Sequence, residues 1–156
     1  MLADEWYDIV FDPEHAACYM HAGGHFATRH PALHDKLIAT MVMSHPGLKM
    51  VRVPLHVRCI ELHAYTVGGG LITPGHKDNG SKFTLIVQLS ESSTFEGGRF
   101  VTYHEGEAVQ HELKAGDGLL INSEKMHNVS PVTRGVRYSL VIELWVAPAN
   151  TLDRFS

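Results

Sequence analysis

Residues 83–122 read FTLIVQLSESSTFEGGRFVTYHEGEAVQHELKAGDGLLIN. Within forty positions there are four short apolar or alternating runs: FTLIVQLS (83–90), GRFVTYH (98–104), AVQHEL (108–113) and GLLINS, the last ending at 123. Glu-Gly-Gly, Glu-Gly-Glu and Ala-Gly-Asp-Gly separate them. β-Branched and aromatic residues fill the runs, and turn signals return every ~8–12 residues, the texture of a β-sandwich or barrel. Upstream, VRCIELHAYTV (57–67) is of the same kind, and so is VRYSLVIELWV (136–146) downstream. With short strands expected near His76 and His127 the count is roughly eight, that of a double-sheet jelly roll.

Residues 13–50 differ. Ala32 to Ser44 carries apolar residues at 33, 37, 38, 41 and 42, a helical spacing, and Pro46-Gly47 is a stop signal. The expectation is one mainly β domain over 1–156, a double-stranded β-helix (jelly roll) at 51–148 behind a helical flank at 1–50. A chain of 156 residues suits one core better than two.

Composition narrows the function. No apolar run approaches the ~20 residues of a membrane span. The start, MLADEWYDIV, lacks the basic n-region of a secretory signal, so a cytoplasmic location and no membrane partner are expected. Net charge is −4 with the 13 Lys and Arg scattered, and no basic footprint for nucleic acid is visible. Cys18 and Cys59 read as reduced core thiols. Oligomeric state has no signature.

Twelve histidines are the unusual feature. In TPGHKDNGSK (73–82), His76 and Asp78 stand two apart and would share a face if a strand extended that far. An HxD alone is weak. Of the later histidines, His104 and His111 sit at an apparent hairpin tip and on a polar strand position, both expected to be exposed. His127 lies between two apolar runs, where a sandwich returns its late strands to its early ones. Two imidazoles and one carboxylate on one side of an ion leave coordination positions open, the facial arrangement of non-haem Fe(II) oxygenases. His63 reads as a satisfied core or rim histidine, Gly68–Gly70 as a flexible turn, Gly97-Gly98 as a hairpin bulge, and Phe100 and Trp145 as core.

Arg137, ten residues past His127, strengthens the set. An arginine within an apolar strand is costly to bury without an anion. It either faces outward, pairs with Glu143, or forms a carboxylate fork with Ser139 on the same strand face. The fork beside an open metal suits a dicarboxylate with a chelating keto acid, 2-oxoglutarate.

The order HxD, His, then Arg resembles the Fe(II)/2-oxoglutarate-dependent dioxygenases, above all the prolyl 4-hydroxylase and procollagen lysyl hydroxylase catalytic domain. AYTVGGGLITPGHKDNGSKFTLIVQLS, FEGGRFVTY and KAGDGLLINSEKMHNVSPVTRGVRYSLVIELW carry the likeness over roughly residues 58–147. It implies His76, Asp78 and His127 as iron ligands and Arg137 as partner of the far carboxylate. It also implies Ser139 and Tyr65 as further co-substrate contacts, O2 as oxidant and ascorbate as candidate reductant. Asp78 implies hydroxylation, since the family's halogenases carry a small residue there. The implied substrate is a prolyl- or lysyl-type side chain, a free amino acid or a small metabolite, giving succinate and CO2. Two rivals stay open: a cupin-like metalloenzyme, and a non-catalytic jelly roll that binds metal or 2-oxoglutarate.

Overall fold

The computed structural model describes residues 8–44, 47 and 53–152. A six-stranded antiparallel sheet runs in the order β1 (Asp8–Asp12), β2 (His15–Tyr19), β3 (His56–Tyr65), β11 (Arg137–Trp145), β4 (Phe83–Gln88), β8 (Gly118–Asn122). Two smaller sheets pair β5 (Phe95–Gly97) with β10 (Val132–Gly135), and β6 (Phe100–His104) with β7 (Glu107–His111) and β9 (His127–Val129). Helices α1 (His25–Arg29) and α2 (Pro31–Ser44) follow the first hairpin. The chain is the mainly β jelly roll expected, with helices on one flank.

Strand alternation builds two cores. On β11, Leu140, Ile142 and Leu144 point to one face and pack with Ile60, Phe83 and Leu85 beneath Phe26 of α1 and Met41 of α2. Ile142 and Leu144 are wholly buried, and truncating either to alanine would cost roughly 2–5 kcal/mol. Tyr65, Ile86 and Ile121 of the large sheet meet Phe100, Val129 and Val132 of the small sheets in the second core. The inward residues of β11 between these layers are Arg137, Ser139, Val141 and Glu143, all facing one cavity.

Several local expectations change. The N-terminal flank contains a hairpin, β1–β2, that extends the large sheet through β2–β3 pairing. Its second strand, HAACY, is short and poor in β-branched residues, so its partner rather than its own propensity makes it a strand. Of the apolar positions on α2, Leu37, Ile38 and Met41 pack on the sheet, whereas Leu33 and Val42 are exposed. Pro46 of the expected stop lies outside the described residues. Gly68–Gly70 is tightly packed instead of loose: a side chain at Gly69 would strike the Glu14 carbonyl, and one at Gly70 would come within 2.7 Å of the Val129 carbonyl oxygen. Cys18 and Cys59 are buried free thiols. Among the described residues no helix is long and apolar enough to cross a membrane.

Candidate metal centre

His76 and Asp78 do not lie on a strand; both fall in the irregular stretch before β4. Backbone bonds do what a ladder would have done. The His127 amide donates to the His76 carbonyl at 3.1 Å, and the Asp78 amide to the Ser123 carbonyl at 3.0 Å. These ties bring the pair beside His127 at the start of β9. One donor atom from each of His76, Asp78 and His127 lies within 4.8 Å of the others. Nε2 of His76 is 3.2 Å from Asp78 Oδ1 and Nε2 of His127 is 3.6 Å from Oδ2. The imidazoles meet edge to face at 4.9 Å. Among the described residues this is the only such group of three.

The surroundings fix two of the donors. His127 Nδ1 lies 2.9 Å from the Lys125 carbonyl oxygen. Its N–H is committed there, which leaves the Nε2 lone pair for the site. Phe100 stacks on the same ring at 5.4 Å, so it serves the site as well as the core. The Thr84 hydroxyl donates to Asp78 Oδ2 at 2.7 Å and lies 2.9 Å from Ser123 Oγ. Burial alone would push the Asp78 carboxyl up. The hydrogen bond from His76, the charge of His127 and the Thr84 hydroxyl outweigh it and hold the group below its ordinary value. The carboxylate is thus kept ionised, the form that binds a cation.

Below this face, Arg58 Nη1 reaches the Asn79 carbonyl at 2.8 Å, Ser81 Oγ at 3.0 Å and Glu143 Oε2 at 3.1 Å. Ser81 also donates to Glu143. This cluster braces the loop that follows Asp78, and it settles the question of Glu143, whose cation is Arg58.

Arg137 is 1% exposed, and no carboxylate pairs with it among the described residues. Its Nη1 donates to Ser139 Oγ at 3.1 Å and its Cζ lies 5.7 Å from the centre of the Tyr65 ring. Burial pushes the guanidinium pKa down, yet arginine stays charged in proteins. A buried cation without a counter-ion favours an anion strongly. Arg137, Ser139, Tyr65, His76, Asp78 and His127 all line one cavity, open to solvent.

Of the other histidines, His104 is exposed as expected, but His111 is half-buried with Nε2 2.8 Å from Thr102 Oγ1. His63 is buried and bonded, facing the cavity. Thr84 and Ser123 were not singled out in the sequence. The visible trace of Thr84 is a polar residue inside FTLIV, a run otherwise apolar.

Residues 60–146 match the model of the 2OG-Fe(II) oxygenase superfamily. A PKHD-type hydroxylase of Paraburkholderia xenovorans is 34% identical over 104 residues, 59% of this chain and 45% of its own length. One of Aliarcobacter butzleri is 30% identical over 122 residues, 70% of this chain and 52% of its own. The chain therefore spans about half the length of these curated relatives. Among solved structures, a prolyl hydroxylase of Trichoplax adhaerens in complex with a hypoxia inducible factor peptide superposes with TM-score 0.67 at 17% identity, covering 85% of this chain and 63% of that one. HygX from Streptomyces hygroscopicus, with nickel and 2-oxoglutarate bound, gives 0.65 at 17% identity, over 88% and 73%. At that identity the likeness is one of fold. The family match covers the segment that contains all four candidate residues, and this chain is a member of the 2OG-Fe(II) oxygenase superfamily.

Proposed function

We propose that the protein is an Fe(II)- and 2-oxoglutarate-dependent hydroxylase, with His76, Asp78 and His127 as the metal ligands and Arg137 as the anchor of the co-substrate's far carboxylate. The observation that carries this reading is the buried guanidinium of Arg137, with no carboxylate partner among the described residues, in the same cavity as the three candidate ligand atoms. The donor set fits the group. Two imidazoles and one carboxylate suit ferrous iron and leave positions open for a chelating keto acid. When bound, iron and 2-oxoglutarate couple O2-dependent decarboxylation, which gives succinate and CO2, to hydroxylation of an unactivated C–H bond.

The chain's own residues hold and exclude. Thr84 and the Lys125 carbonyl orient two of the ligands. Ser139 directs one guanidinium nitrogen and leaves the rest of the fork for a carboxylate. Phe100, Ile86, Leu71 and Val129 form the apolar wall that keeps water from the reacting centre. No separate general acid or base is needed, and ascorbate serves as external reductant. The substrate class is a prolyl- or lysyl-type side chain, a free amino acid or a small metabolite.

The test is spectroscopic and then chemical. Anaerobic addition of Fe(II) and 2-oxoglutarate gives a weak visible metal-to-ligand charge-transfer band, and admitting air with substrate yields succinate. A band without succinate across a substrate screen indicates a sensor. Normal iron content without a band refutes the proposal.

A further inference from the structure

Register places three residues in one cross-strand row: His15 of β2 is opposite Tyr65 of β3, and Tyr65 is opposite Arg137 of β11. All three line the cavity. The His15 ring stacks on Tyr65 at 4.2 Å with 13° between planes, and the Arg137 guanidinium lies over the same tyrosine. One row further along β3, His63 faces Ser139. His63 Nδ1 lies 2.8 Å from His15 Nε2, and His63 Nε2 lies 3.0 Å from Glu61 Oε2. A hydrogen-bonded line thus runs from buried Glu61 through His63 to His15, and from there by ring contact to Tyr65 and Arg137.

We propose that the co-substrate pocket extends onto the β1–β2 hairpin, with His15 as a positioning residue for Tyr65 and the Arg137 clamp, held in place by His63 and Glu61. The inference rests on the reading of Arg137 as the 2-oxoglutarate anchor. Its support is independent of that role. An imidazole sitting flat on a phenol ring fixes the ring's rotation, and the hydrogen bond to His63 fixes the imidazole. Joining a hairpin to a sheet does not require a buried carboxylate, since apolar residues of similar volume often do so without loss of stability. The polar line instead runs along the wall of the cavity that holds the clamp. It also gives the hairpin a task within the site, although the hairpin precedes the residues matching the family model, 60–146.

The experiment is calorimetric titration of 2-oxoglutarate into Mn(II)-loaded protein, with Mn(II) affinity followed separately by electron paramagnetic resonance. His15→Ala and Glu61→Leu should weaken 2-oxoglutarate binding about tenfold while Mn(II) affinity stays within about twofold. His15→Phe keeps a ring against Tyr65 but loses the bond to His63, so it should recover part of the loss, whereas Glu61→Gln keeps an acceptor for His63 and should recover most of it. If the line only glues the hairpin to the sheet, the Ala and Leu variants melt earlier but bind 2-oxoglutarate as tightly as the parent, which overturns the proposal. Should His15→Ala fail to fold, the Glu61 pair decides: Glu61→Leu binding as tightly as Glu61→Gln is equally fatal. Failure of the underlying reading looks different, because the parent protein would then bind no 2-oxoglutarate, or Arg137→Ala would bind it unchanged.

Discussion

A β-carbon placed on Gly98 would lie 2.8 Å from Cδ of Arg137 and 3.0 Å from Cγ2 of Val132. The stem of the arginine occupies the volume that any larger residue at 98 would claim. The backbone there has φ +58°, in the left-handed region that side chains avoid. Gly98→Ala should therefore cost about 1–2 kcal/mol of stability. By displacing Arg137 it should also weaken 2-oxoglutarate binding about tenfold, with metal affinity intact. Thermal melts and an equilibrium 2-oxoglutarate titration read the two effects, and an undisturbed co-substrate affinity would show that Arg137 does not need this space.

Arg137 itself offers a graded test. Arg137→Ala should retain iron and lose roughly 3–5 kcal/mol of 2-oxoglutarate affinity, the scale of breaking a buried charge pair. Arg137→Lys keeps the charge but lacks the planar fork, so it should fall between the two. Equal affinities across the series, measured by the anaerobic charge-transfer band, would remove Arg137 from the clamp.

Thr84 tests the ligand environment. The hydroxyl is 1% exposed and joins Asp78 to Ser123. Thr84→Val preserves shape and strand propensity, so the fold should persist while metal affinity drops by about 10–100-fold. A competition titration with a chelator measures this. Retained affinity would mean that the backbone alone orients the carboxylate.

Glu143 gives a pH prediction. Burial, then the neighbouring Asp78 charge, push its carboxyl above the ordinary value of 4.5 despite the Ser81 hydrogen bond. A raised carboxyl binds its proton more tightly folded than unfolded, so its ionisation costs stability as pH rises through 4.5 toward the folded value. Metal-free Glu143→Gln keeps an acceptor for Ser81 and should show a flatter stability profile across that window. Chemical denaturation at stepped pH checks it, and an identical slope in both proteins would contradict the assignment.

The architecture and the four candidate site residues were legible because each carries a long-range regularity. Strand alternation with punctuating turns marks the jelly roll, and an arginine inside VRYSLVIELW is conspicuous against an apolar run. Less legible features depend on partners remote in sequence. HAACY has no strand character until β3 offers its edge. Gly98 reads as an ordinary hairpin glycine, since only the fold brings Arg137 beneath it. His15, His63 and Glu61 are lost among twelve histidines and seventeen acids until register aligns them. His76 and Asp78 could be paired from their spacing, but on the wrong ground: tethers to Ser123 and His127, rather than a pleat, bring them together.

Those tethers have a bearing on how such a site would handle an ion. The ligand-bearing segments are tied to each other by main-chain hydrogen bonds, and the loop after Asp78 is strapped down by Arg58. A zinc finger folds because its metal arrives; here main-chain hydrogen bonds of the polypeptide already tie the three candidate ligands together. Removal of an ion from such a site would leave these main-chain ties in place, so the scaffold should outlast the metal.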